Sequence, residues 1–296
     1  MAGQWLGAVA RAIAGAGDLP PAGHRPWPPP ARPWIMVQSW RNLLFAHWPV
    51  PTPVLRPLIP AGLDLQTFED QAWVGITPFV LAGLRPRAMP AVVGLSRFPE
   101  INVRTYVSAG DKPGVFFFSL DAGSALAVIA ARALYSLPYF RARFTVRSDP
   151  KRIVYRSVRT DRRAPPAEFQ AVYGPSGPAS VARPGTLAHW LVERYCLYAV
   201  DRRGGLHRAE IHHPPWPLQP AQAAIERNTM TTGLGLALPD VAPLTHFAAR
   251  VDVQVWLPEP VRWPEKAAAP PGAGAGEGRR WPPTPFVSQL AAASGK

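Results

Sequence analysis

One short stretch, "RFPEINVRTYV" from Arg97 to Val107, concentrates the residues whose types suit chemistry. At a period of two, Glu100, Asn102, Arg104 and Tyr106 fall on one face, and Ile101, Val103, Thr105 and Val107 fall on the other. An acid, an amide, a guanidinium and a phenol on one side could orient a small polar ligand. A strand with one solvated face produces the same alternation, so both readings stand at this point. At about 3.3 Å per residue, Glu100 and Arg104 leave the strand roughly 13 Å apart, so each needs other partners if buried.

A second candidate is "EIHHPPWPL", Glu210 to Leu218. His212 and His213 point to opposite faces of a strand, so they cannot easily share one metal ion. Glu210 and His212 share a face, but two ligands are too few, and no metal is expected. His212 is kept as a candidate pocket residue. His47 in "FAHWP" reads as structural, stacked by Trp48, and Glu193 with Arg194 reads as a surface pair. Cys196, the one cysteine, has no obvious base beside it, and no intrachain disulfide is possible. No spacing suits a phosphate or dinucleotide loop, and no cofactor is expected.

The elements that must position these residues are mostly strands. "QSWRNLLFAHW", "LDLQTF", "AWVGITPFVL", "EINVRTYV", "GVFFFSLD", "RARFTVRS", "RIVYRSVRT", "CLYAVD", "LHRAEIHH" and "RVDVQVWLP" have strand composition. "SALAVIAARALYS" and "TLAHWLVERY" read as helices, the latter capped by Thr186. "PTPVLRPLIP" reads as a short helix with Thr52 as its cap. Many antiparallel strands with a few helices make an α+β, mostly antiparallel β domain. It is expected over 34–260. Residues 1–33 read as a short helix followed by a Pro-rich tether, and 261–296 as a Pro/Gly/Ala-rich disordered tail.

The net charge is +13 and Arg far outnumbers Lys, but the arginines are scattered. No dense basic block marks a nucleic-acid surface, and no nucleic acid is expected as a partner. No apolar run reaches the roughly 20 residues that a spanning helix needs, so no membrane is expected. Arg11 interrupts the apolar start, which argues against a signal peptide. The expectation is a cytoplasmic protein that binds a small molecule, with a homo-oligomer left open.

The stretches "RNLLFAHW", "LIPAGLDL", "FPEINVRTYV", "GVFFFSLDA", "LPYFRA", "LVERYCLY" and "EIHHPPWPL" together resemble the YqjF-like family of uncharacterised proteins, within the acetoacetate decarboxylase-like superfamily. The resemblance runs from about Trp34 to Pro258. It implies a double-layered, cone-shaped antiparallel β-barrel with flanking helices and an internal pocket. True acetoacetate decarboxylases carry a pocket Arg, which Arg41 matches, and a pocket Glu, which Glu100 matches. A second pocket acid is missing, because Gly75 stands at its position.

Those enzymes also carry a Pro-Lys-Lys motif whose first Lys forms a Schiff base. The matching stretch here is "SLPYFRA", with Tyr139 and Phe140 at the two Lys positions. The remaining lysines are Lys112 and Lys151, in predicted turns, and Lys266 and Lys296, in the tail. A Schiff-base Lys needs desolvation or a cationic neighbour to lose its proton, and an exposed turn supplies neither.

The resemblance therefore implies a small oxo acid or dicarbonyl ligand without imine chemistry. Arg41 or Arg104 would clamp a carboxylate, Glu100 would act as acid or base, and Tyr139 would donate to a developing oxyanion. Asn102, Tyr106 and His212 would line the pocket. A non-catalytic ligand-binding protein, or a structural or interaction protein using its tails, is the alternative.

Overall fold

The computed structural model describes residues 21–89, 96–149 and 151–262. The expected N-terminal helix and the expected C-terminal tail beyond Arg262 lie outside them. Fourteen strands are present among the described residues, and they share one sheet. They are β1 (Met36–Val50), β2 (Asp64–Leu65), β3 (Ala72–Pro86), β4 (Arg97–Ala109), β5 (Lys112–Ala122), β6 (Tyr139–Ser148) and β7 (Ile153–Arg159). Then follow β8 (Glu168–Pro175), β9 (Ser180–Val181), β10 (Cys196–Val200), β11 (Leu206–His212), β12 (Pro217–Asn228), β13 (Leu244–Val255) and β14 (Glu259–Pro260). The helices are α1 (Thr52–Leu55), α2 (Ala125–Tyr135) and α3 (Leu187–Val192).

Neighbouring strands run β14-β11-β10-β5-β6-β7-β8-β12-β13-β1-β3-β4-β2. β4 also pairs with β5, and β11 with β13, so the succession of neighbours returns on itself. Most pairs are antiparallel; β5 runs parallel to both β6 and β10. The expected α+β, mostly antiparallel architecture is present.

The opening alternation has a definite answer here. β4 is buried along nearly its whole length, on both faces. Ile101 and Val103 pack with Leu44, Ala46, Val74 and Ile76 in one apolar cluster. Tyr106 belongs to another, with Phe45, Phe79 and Trp216. The polar face is therefore not wetted by bulk solvent. Burying an acid, an amide and a guanidinium there is costly unless they find partners or serve a ligand.

α2 begins at Ser124, whose Oγ accepts from Ala127 N, and ends at Ser136 in the left-handed region. It buries Val128 and Tyr135, while Leu126, Ile129 and Leu134 face outward. α3 is capped by Thr186, as expected. At α1 the cap is Pro51 rather than Thr52.

The Pro-rich segment is not a free tether over its described part. Arg25 is buried and paired with Glu210 on β11, and Trp27 donates its indole N–H to the same carboxylate. Proline stiffens this segment, and two side chains anchor it to the body.

Candidate functional site

A cavity of about 730 Å³ lies between α2 and the inner faces of β1, β3, β4 and β5. Its walls are largely apolar, with Trp40, Phe45, Phe79, Phe98, Leu120 and Trp216 among them. Its polar lining is sparse: Glu100, Asn102, Arg104, Tyr139, Arg194 and His213, with Thr77 and Gln38. The β3–β4 register orders one wall in rows. Gly75 lies opposite Arg104, Thr77 opposite Asn102, Phe79 opposite Glu100, and Leu81 opposite Phe98.

The cationic end holds two guanidinium groups. Arg104 is 8 % exposed and Arg194 is 6 % exposed. Nε and Nη2 of both residues are buried without a hydrogen-bond partner. Arg194 gives Nη1 to Gln66 Oε1 at 2.7 Å. Its guanidinium lies 5.0 Å from the Tyr106 ring centre and 4.4 Å from that of Trp190, while Arg104 lies 5.8 Å from Tyr106 and 5.3 Å from Phe45. Aromatic faces offset part of the desolvation cost of a cation. No carboxylate forms an ion pair with either arginine among the described residues. Burial, together with the field of Arg104, lowers Arg194 to about 10.

Gly75 explains part of this vacancy. A Cβ at that position would meet the His47 ring at 3.0 Å and Arg104 Cγ at 3.4 Å. The position at which the resemblance implied a second acid therefore has little room for a side chain, directly beside Arg104. His47 does not stack on Trp48 as expected. It stacks on Phe45, and its Nε2 is 2.7 Å from the Tyr106 hydroxyl. Burial, and then the charge of Arg104, hold His47 well below the usual imidazole range, so it is neutral and braces Tyr106 beneath the arginines.

The acidic part lies further along β4. Tyr139 Oη donates to Glu100 Oε2 at 3.0 Å. Tyr155 Oη donates to the Glu100 backbone carbonyl at 2.7 Å, which fixes the strand there. Desolvation pushes Glu100 up to about 8; the Tyr139 hydrogen bond acts against this, and Asp121 adds to it. The Glu100 carboxyl is thus protonated at neutral pH and can give or take a proton near it. Tyr139 stands well above the ordinary phenol range for the same reason, burial first and Glu100 second.

Glu100, Asn102, Arg104 and Tyr139 therefore line one cavity. Three expectations are corrected. Arg41 does not line the cavity: Trp40 takes the inward face, and Arg41 shares the other face with Ser39, which donates to Asp252 at 2.5 Å. Tyr106 lies beneath the arginines rather than on the lining. His212 also faces away, its ring stacked on His24 of the N-terminal segment, and the neighbouring His213 takes the lining position. Arg194, read as half of a surface pair, is the residue that sequence reasoning missed. Its partner Glu193 instead accepts from the Tyr195 hydroxyl and from Trp216 N.

Lys112 and Lys151 are not among the lining residues. Lys112 pairs with Glu210 at 3.0 Å, and Lys151 is exposed. Phe140, at the second Lys position, packs against the Arg159 guanidinium. Among the described residues, no three His, Cys, Asp or Glu residues cluster as metal ligands, and no helix is long and apolar enough to cross a membrane.

Residues 37–252 match the family model DUF2071, an uncharacterised conserved protein family. The chain belongs to this family. The uncharacterised protein YqjF of Bacillus subtilis (strain 168) is 45% identical over 223 residues, spanning 75% of this chain and 91% of that protein. Among solved structures, the enduracididine biosynthesis enzyme MppR complexed with pyruvate is similar with a TM-score of 0.55 at 11% identity, covering 83% of this chain and 99% of its own. The acetoacetate decarboxylase from Legionella pneumophila is similar with a TM-score of 0.52 at 12% identity, covering 81% and 93%. At such identities the likeness is one of fold, and the fold is acetoacetate decarboxylase-like.

Proposed function

We propose that this DUF2071 protein binds a small carboxylate, of the oxo acid or dicarbonyl class, inside the cavity, and does not form a Schiff base with it. The returning strand pairings support a reading of the sheet as the double-layered, cone-shaped barrel of the fold, with the ligand inside. The observation that carries the reading is the pair of buried guanidinium groups, each with two unpartnered N–H positions. Buried donors are normally satisfied, and those left over mark a place for an acceptor that comes from outside the chain. A carboxylate matches a guanidinium with two parallel hydrogen bonds.

Of the two arginines expected as a clamp, Arg104 keeps the role and Arg194 replaces Arg41 in it. Tyr139 stands where the Schiff-base Lys would be, and it supplies a hydroxyl donor rather than an amine. With Glu100 protonated, the pair offers a proton donor to a carbonyl or enolate oxygen, which suits enolisation or dehydration without an imine. That MppR was solved with pyruvate is consistent with an oxo acid on this scaffold.

The test is titration of pyruvate, acetoacetate and related 2-oxo and 3-oxo acids, followed through the fluorescence of the cavity tryptophans. Saturable binding is expected, weakened about tenfold to a hundredfold in Arg194→Met. An absence of saturable binding for every acid overturns the proposal, as does unchanged affinity in the variant. Turnover of a bound acid, lost in Glu100→Gln, assigns catalysis; binding without turnover assigns a binding protein.

A further inference from the structure

We infer that the ligand is an amphipathic monocarboxylate with an elongated apolar body, an acyl or aryl chain, seated with its carboxylate on Arg104 and Arg194 and its tail leaving past α2. This rests on the proposed carboxylate clamp and adds what the rest of the cavity requires.

Volume is the first reason. At about 30 Å³ per water in the liquid, 730 Å³ corresponds to the room of some two dozen water molecules. A simple oxo acid of six or seven heavy atoms would fill a fraction of that. The remainder would be a space walled by Phe79, Leu81, Phe98, Leu120 and Trp216, and an apolar space of that kind holds water poorly.

The order of the lining is the second reason. Register along β3 and β4 places the cationic row at Arg104, an amide row at Asn102, the Glu100 row next, and then Leu81 and Phe98; beyond them the lining is apolar apart from the uncharged Gln38 of β1. Charge is confined to one end, and both arginines there are more than nine-tenths buried. A polar head therefore goes in first. Arg104 and Phe98 leave the strand roughly 20 Å apart, so a ligand reaching from clamp to rim must be long.

The rim is the third reason. Leu126, Ile129 and Leu134 of α2 line the cavity yet are 61%, 64% and 59% exposed. Large apolar side chains left open at the edge of an apolar cavity extend its surface outward and mark a binding site. No basic side chain is among the residues that line this rim of α2, so the outgoing end of the ligand is apolar.

The experiment is a binding series of straight-chain acids, butanoate, octanoate and dodecanoate, with dodecanol as the uncharged match. Measurements use wild type, Arg104→Met/Arg194→Met and Ile129→Glu. Affinity is expected to rise about fourfold per added methylene, before levelling off once the tail reaches solvent. The double arginine variant should lose the preference for dodecanoate over dodecanol. Ile129→Glu, at a position 64% exposed, should weaken dodecanoate while leaving butanoate, which ends short of the rim, unchanged.

Equal affinity for butanoate and dodecanoate would overturn this inference and leave the carboxylate clamp standing. Dodecanol binding as tightly as dodecanoate to the wild type, or a preference for dodecanoate that survives in the double variant, would instead remove the clamp and with it the proposed function. Dodecanoate binding unaffected by Ile129→Glu would place the tail elsewhere and overturn the exit past α2.

Discussion

Two regions of this protein bury charge in opposite ways. At the N-terminal segment, Glu210 is 1% exposed and surrounded by donors. Arg25 Nη2 lies at 2.8 Å, Trp27 Nε1 at 2.8 Å and Lys112 Nζ at 3.0 Å, with Arg208 Nε at 3.5 Å. In the cavity, Arg104 and Arg194 are about as deeply buried and have no carboxylate among the described residues. Both regions pay desolvation, but only the first recovers it inside the chain. A satisfied buried charge fixes one piece of backbone to another. An unsatisfied one leaves free energy available to a partner from outside. Glu100 shows a third solution: with no cation paired to it among the described residues, the carboxyl keeps its proton and borrows one hydrogen bond from Tyr139.

The satisfied region gives the largest expected effect. Arg25→Ala removes the innermost cation from Glu210 and detaches the segment that also carries Trp27. Breaking a buried pair from one side costs roughly 3–5 kcal/mol, and Lys112 and Arg208 keep the loss toward the lower figure. Urea unfolding at pH 7 should show a drop of about 3 kcal/mol. A silent variant would mean that residues 21–33 are an appendage after all, and the contrast with the cavity would lose its first half.

How much of this was legible beforehand follows from which contacts are local. The alternation in β4 was readable because period two is a property of consecutive residues. Which residues share a face could be read this way, while the burial of that face depended on β3 and β5 and on the layers across the cavity. Arg194 was unreadable for the same reason. "VER" after a helix looks like a surface pair, and only the parallel pairing of β10 with β5 carries the end of α3 inward. β8 and β12 went unassigned because Pro217, Pro220 and several Ala and Gln residues weaken the strand signal, although the partners of β12 on both sides compensate. Proline content suggested a tether for 18–33, and the anchoring side chains Arg25 and Trp27 carry no local mark of their distant partner. That Tyr139 and Gly75 stand where the resemblance expects a Lys and an acid was visible in the sequence; that Gly75 lies directly opposite Arg104 was not.

Glu100 gives the next effect, and its sign is definite. An unfolded Glu ionises near 4.5, whereas burial raises the folded carboxyl to about 8. Between those values the folded protein holds a proton that the unfolded chain has released. This contribution is complete below about pH 4.5 and fades as pH rises toward 8. Asp121, raised by burial to about 6 despite its Arg159 partner, acts in the same direction over a lower window. Between pH 6 and pH 8 the Glu100 share is roughly 2 kcal/mol. Stability measured across that interval should fall in the wild type and stay nearly flat in Glu100→Gln. A wild-type curve already flat from pH 6 to 8 would place the carboxyl in water and remove the proton-donor role with it.

The smallest change is the most informative, because its sign runs against ordinary expectation for a core residue. Arg194→Met keeps an unbranched side chain while removing a charge that has no carboxylate partner among the described residues. Replacing buried ionic groups with apolar ones of similar volume is often neutral or stabilising. The variant loses the charge-assisted hydrogen bond to Gln66 and the guanidinium contacts with Trp190 and Tyr106, but it is spared the desolvation of the charge and the repulsion with Arg104 that hold Arg194 down to about 10. The expected result is a gain of about 1 kcal/mol in the ligand-free protein, together with the loss of carboxylate binding. Arg25 and Arg194 would then move stability in opposite directions, although both are buried arginines on aromatic faces. A destabilised Arg194→Met would show that the chain itself uses this charge, and the case for an external anion would weaken accordingly.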